Sequence, residues 1–172
     1  MKHLAILTPL ALLALTACED KAAQQAAAEA RAKAEATAQA KALSDALMVN
    51  VRCYAGIKWQ QVPLQRGGIG DPQLYVDYYR GMIEKKLGDA AIPAAPPAPE
   101  LSKATLDAYL DWAVKDYIDT RFTADRKGAI DTVSACVQSA AEFGTGPMAK
   151  LNPAQRFDKM EYLRDHLRQR GA

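Results

Sequence analysis

Histidine is nearly missing from this chain: His3 and His166 are the only two in 172 residues. A Ser-His-Asp or Cys-His mechanism would have to recruit one of them. His166 stands near the chain end among Arg164, Asp165 and Arg168, which reads as exposed surface. Cysteine is almost as rare, and Cys18, Cys53 and Cys136 lack the close paired spacing of a zinc site or a redox pair. No metal and no cofactor is expected. Net charge is small as well, with 22 Lys+Arg against 20 Asp+Glu. That balance excludes a nucleic-acid binder relying on a basic surface to neutralise phosphates. No stretch alternates apolar and polar residues with period two, so no strand is expected. The only glycine cluster, Gln65-Arg66-Gly67-Gly68-Ile69-Gly70, lacks the lysine and hydroxyl of a phosphate-binding loop and reads as a turn.

What is present starts at the N-terminus. Lys2 and His3 precede an apolar run from Leu4 to Leu15 that Pro9 interrupts. The run is shorter than the roughly twenty apolar residues of a membrane span, and small residues follow it. This is the layout of a cleavable secretory signal. Leu15-Thr16-Ala17-Cys18 resembles the lipobox of bacterial lipoproteins. The resemblance implies cleavage before Cys18, a diacylglycerol on its thiol, and acylation of the new amine, with palmitate as the expected chain. It extends over the first eighteen residues alone and implies nothing about the fold behind them. The chain then divides into a signal peptide (1–17), a lipid anchor with a stalk (18–42) and a helical domain (43–172). With Cys18 claimed by the anchor, Cys53 and Cys136 make an even pair in an oxidising compartment, and one disulfide is expected. The protein would face the periplasm of a Gram-negative bacterium. The acidic Glu19-Asp20 pair leaves inner and outer membrane equally open.

From Lys21 to Ala42 alanine recurs at every second or third position, with no Gly, Pro or aromatic residue. Alanine has the highest helix propensity, so the segment is expected to be a solvated helical stalk. An alanine-lined coiled coil and a flexible tether are the weighed alternatives, because no heptad of larger residues marks a seam. Larger apolar residues begin at Leu43 and recur at Leu47, Val51, Tyr54 and Ile57, predicting a core helix that ends near Val62-Pro63.

Asp71-Pro72 opens a further helix carrying Tyr75, Tyr78, Tyr79, Met82, Ile83 and Leu87, which Gly88 closes. The prolines between Asp89 and Glu100 exclude helix and read as an extended crossover. A helix over about 102–120 follows, with Leu106, Tyr109, Leu110, Ala113, Val114, Tyr117 and Ile118 on one face. Trp112 stands among the acids of the other face, and the proline-rich crossover is the economical cover for it. A helix over about 123–143 carries Cys136 on its apolar side. Asn152-Pro153-Ala154-Gln155 spells a capping box. The last helix should bury Phe157, Met160, Leu163 and Leu167, while Arg164, Arg168 and Arg170 suit its C-terminal dipole.

The expected fold is all-α: a small bundle of about five helices behind an Ala-rich helical stalk, held by one disulfide. The leading functional expectation is a membrane-anchored envelope lipoprotein acting as a non-enzymatic interaction, adaptor or assembly module. Its partners would be the membrane, through the anchor, and an envelope protein or peptidoglycan. Trp112, Tyr75 and Tyr79 are the candidate binding residues, since aromatic side chains dominate binding hot spots. No catalytic residue is assigned. Two rival expectations are an immunity or exclusion lipoprotein that blocks a toxin or transfer machine, and a glycan-acting enzyme using carboxylates among Asp107, Asp111, Asp116 and Asp119.

Overall fold

The computed structural model describes residues 13–93 and 96–169, with side chains from Lys21 onward apart from Ala22. The cationic start, most of the apolar run, the Cys18 thiol and Arg170 lie outside the described residues. Two compact units are present, Met1–Leu43 and Ser44–Ala172, and the division falls within helix α1 (Leu13–Trp59). In the first unit the described side chains from Lys21 to Ala42 are exposed. Alanine methyls offer too little area to bury, so propensity alone accounts for that helix.

The second unit is all-α. After α1 come α2 (Gln61–Arg66), α3 (Gln73–Leu87), α4 (Leu106–Asp116), a π-helical turn (Tyr117–Phe122), α5 (Arg126–Glu142), a 3₁₀ turn (Pro147–Lys150) and α6 (Pro153–Gln169). No strand occurs among the described residues. One antiparallel bridge between Ile92 and Leu101 pins the two ends of the proline-rich crossover. No helix among them is long and apolar enough to cross a membrane.

The helix starts follow from side-chain chemistry. Asp71 Oδ1 accepts from Gln73 N at 2.9 Å, and Asp125 Oδ1 accepts from Gly128 N at 2.9 Å at the head of α5. The capping box closes both ways at α6: Asn152 Oδ1 accepts from Gln155 N at 2.9 Å, and Gln155 Oε1 accepts from Asn152 N at 3.2 Å. Each bond satisfies a donor that the first helical turn leaves orphaned.

Helix α5 is the centre of the core, packing against α3, α6, the π turn and the 3₁₀ turn. Its buried face carries Ile130, Val133, Cys136, Val137 and Ala140. Leu47, Val51, Tyr54 and Ile57 are the buried stripe of α1. At Gly56 an added Cβ would lie 2.7 Å from Val133 Cγ2 and 3.0 Å from the Tyr117 ring. Only a bare backbone fits there, which is why α1 can approach both α5 and the π turn. The Cys53–Cys136 disulfide joins α1 to α5 beside that contact, with a Cα–Cα distance of 5.5 Å.

Two expectations are corrected. The helix foreseen over 102–120 is shorter and changes pitch. Its N-terminal turn is lost to the Thr105 hydroxyl, which donates to Glu100 O and accepts from Ser102 N. Downstream, Thr120 Oγ1 donates to Asp116 O at 2.6 Å and Thr123 Oγ1 to Ile118 O at 2.8 Å. These hydroxyls enter the carbonyl ladder where it widens to π geometry. Phe157 is the second correction, because it is 64% exposed. With about 100° between successive residues, the buried line of α6 through Met160, Leu163 and Leu167 runs nearer Arg156 than Phe157. Arg156 is half-buried, and its Nη2 donates to Leu151 O at 3.1 Å.

Buried tyrosines make this core sensitive to alkali. Burial pushes the Tyr79 and Tyr117 phenols up from 10.0 to about 12, and Tyr54, Tyr75 and Tyr109 are raised by the same cause. Between pH 10 and 12 the unfolded chain releases these protons while the folded chain keeps them. Their contribution is complete below pH 10 and is lost as pH rises toward 12, at roughly 2 to 3 kcal/mol for each of Tyr79 and Tyr117. Phenolate absorbance should therefore appear at pH 11 to 12 together with loss of helical circular dichroism. Early ionisation of all the tyrosines near pH 10 in a folded protein would contradict the burial.

Candidate functional site

Arg52 follows buried Val51 and precedes buried Cys53 on α1, yet its own side chain is exposed. It forms no ion pair among the described residues. Three surface depressions converge on it. The first, of about 220 Å³, is aromatic: Met48 and Ala55 of α1 face Tyr109, Trp112 and Asp116 of α4 and Arg121 of the π turn. The second, of about 310 Å³, lies between the π turn and the start of α5, with Thr120, Arg121, Asp125 and Thr132 around it. The third is a trough of about 520 Å³. Cys53 and Cys136 line it together with Val49 of α1, Tyr78, Tyr79, Met82 and Lys86 of α3, Ala135 and Ser139 of α5, and Phe143 just past its end.

The three aromatic candidates are separated by the fold. Trp112 is half-buried, packed against Tyr109 with ring centroids 5.3 Å apart, and opens into the aromatic depression. Its neighbours there come from α1 and the π turn, so the proline-rich crossover is not part of that depression. Tyr75 is 0% and Tyr79 4% exposed, so both are core residues, as an apolar helical stripe of tyrosines suggests, and their candidacy as binding residues is corrected. The Tyr75 hydroxyl points toward Ile69 O at 3.5 Å, and Gly146 lies against it. The Tyr79 hydroxyl donates to Cys136 O at 2.8 Å. Both rings fill core space and spend their hydroxyls on backbone carbonyls, as buried tyrosines do.

Of the four carboxylates considered for glycan chemistry, Asp107 and Asp116 border different depressions. Asp107 is 2.7 Å from Arg80 Nη1, which also bridges to Glu84 through Nε at 2.9 Å. Asp116 accepts from Thr120 and borders the aromatic depression, whereas Asp107 borders a different one beside Lys103 and Asp89. Asp111 and Asp119 are exposed. His166 is half-buried and stacks on Tyr162 at 6.1 Å with the rings 20° from parallel. Its Nε2 is buried without a hydrogen-bond partner among the described residues. No group of three or more His, Cys, Asp or Glu side chains among them is placed to hold a metal.

Arg52 is the residue that sequence reasoning missed. One arginine on a helix carries no local signal, and the free face of α1 is defined only by what packs beside it. The exposure of Phe143, 74%, was equally invisible. No protein-family model, curated protein or solved structure matches the chain, so the geometry stands on its own.

Proposed function

We propose that the chain is a lipid-anchored protein of the bacterial envelope whose helical domain works as a non-enzymatic interaction, adaptor or assembly module. The leader layout with Leu15-Thr16-Ala17-Cys18 supports the anchor, and the buried Cys53–Cys136 disulfide agrees with an oxidising destination. The observation that carries the binding role is the convergence of an aromatic depression and an apolar trough on one exposed arginine that has no ion pair among the described residues. Exposed apolar surface edged by Arg and aromatic residues is the composition of interaction sites.

The test has two readouts. Mass spectrometry of the membrane fraction should find Cys18 as an acylated N-terminus, and an unmodified Cys18 in a soluble protein would remove the anchor. Photocrosslinking from the aromatic depression in cells should capture an envelope partner, and Trp112→Ala should reduce capture while shifting the melting midpoint by only a few degrees. Cleavage of peptidoglycan by the purified protein, abolished by substituting one of Asp107, Asp111, Asp116 or Asp119 without unfolding, would replace this reading with an enzymatic one.

A further inference from the structure

The trough has a length, a polarity and a charge, and together they specify its occupant. Tyr78 to Lys86 on α3 spans about 12 Å and Thr132 to Glu142 on α5 about 15 Å at the helical rise, with Phe143 at the end of the latter. Anchor residues at i, i+3 or i+4, and i+7 of a helix span about 10 Å. Along the floor lie the disulfide and the Tyr79 ring. The rim is apolar and open to water, with Phe143 74% and Val49 54% exposed. Ala135 and Ser139 form a low wall that lets a backbone come close, and Met82 opposite them can repack around varied side chains.

Charge decides the rest. Among the lining residues are two cations, Arg52 and Lys86, and no carboxylate. Neither cation has an ion-pair partner among the described residues. The trough is open along one side, so an acyl chain lying in it would leave many of its methylenes in water. A helix suits it better, because its own polar back faces the solvent while its apolar stripe is covered.

We infer that the trough between α3 and α5 is a docking site for a short amphipathic helix of a partner protein, apolar along one stripe and acidic beside it. This rests on the interaction-module reading and supplies the partner's chemistry. Acidic side chains flanking the stripe reach Arg52 and Lys86, and the apolar anchors cover Phe143, Val49 and Met82.

The test is selection of a randomised library of fifteen-residue helical peptides against the full mature chain in detergent micelles, with the disulfide intact. Recovered peptides should share apolar residues at i, i+3 or i+4, and i+7 with Asp or Glu alongside. Their affinity should fall about tenfold or more with Arg52→Glu and with Phe143→Ala. Both side chains are exposed, so the melting midpoint should hold in each variant.

Basic peptides, peptides without the apolar repeat, or binding indifferent to both substitutions would overturn the inference. So would recovery of no peptide alongside Phe143-dependent binding of phosphatidylglycerol vesicles, or sedimentation showing that Phe143→Ala dissolves a dimer of this chain. Peptides lost only with Trp112→Ala would sink the trough and leave the interaction module standing. Polymer-cleaving activity would sink the module itself.

Discussion

Replacing Cys53 and Cys136 together by alanine is expected to cost the folded domain about 4 to 5 kcal/mol. The bond closes a loop of sequence separation 83, and in the chain-entropy account a loop of that length restricts the unfolded chain by about this amount. For a domain of this size the melting midpoint should fall by roughly 15 °C. Differential scanning calorimetry of the oxidised chain, the reduced chain and the double variant measures it. The two cysteines are 5% and 4% exposed, so a reductant should act slowly on the folded protein and fast once it unfolds. A loss below about 1 kcal/mol would show that the α1 to α5 contact is held by packing at Gly56, Val133 and Tyr117 and not by the bond.

Tyr79→Ala is expected to destabilise by about 3 to 5 kcal/mol, the range for removing a buried aromatic ring. Tyr75→Ala should cost a similar amount, since its ring is wholly inaccessible. Tyr79→Phe isolates the hydroxyl: it keeps the ring and removes the 2.8 Å bond to Cys136 O, at about 1 kcal/mol. Urea unfolding of the three variants beside Trp112→Ala separates structural aromatics from the surface one. A Tyr79→Ala protein as stable as the parent would return Tyr79 to the list of binding residues.

Much of the helical architecture could be read from short-range chemistry. The starts at Asp71 and Asn152 were legible because a side-chain oxygen bonding a backbone N–H two or three residues on needs no distant partner. The stripe of α1 and the inward face of α5 were legible for a similar reason, since helical spacing places apolar residues on one line wherever the helix lies. Local competition was harder to see. Thr105, Thr120 and Thr123 each offer the backbone an alternative hydrogen bond, and the shortened α4 with its π turn is the outcome. Phe157 lies outside the core because its angular position on α6 faces away from the line of Met160, Leu163 and Leu167, and Arg156 takes the inward place with its guanidinium on Leu151 O.

What the sequence determined by itself is the all-α class, most helix boundaries to within a few residues, and the pairing of Cys53 with Cys136. The helices depend on propensity and capping, which act over one or two turns, and the pairing on there being two cysteines left once the anchor takes Cys18. Only the tertiary structure decided which aromatic side chains are core and which are surface, and that Arg52 stands where three depressions meet. Tyr79 and Trp112 were both candidate binding residues, although Tyr79 stands on an apolar stripe and Trp112 among acids. One is covered because α5 brings the Cys136 carbonyl to its hydroxyl from 57 residues away, and the other stays half-open because α1 passes beside it without closing over it. Burial is set by neighbours distant along the chain, and a periodic pattern on one helix carries no record of them.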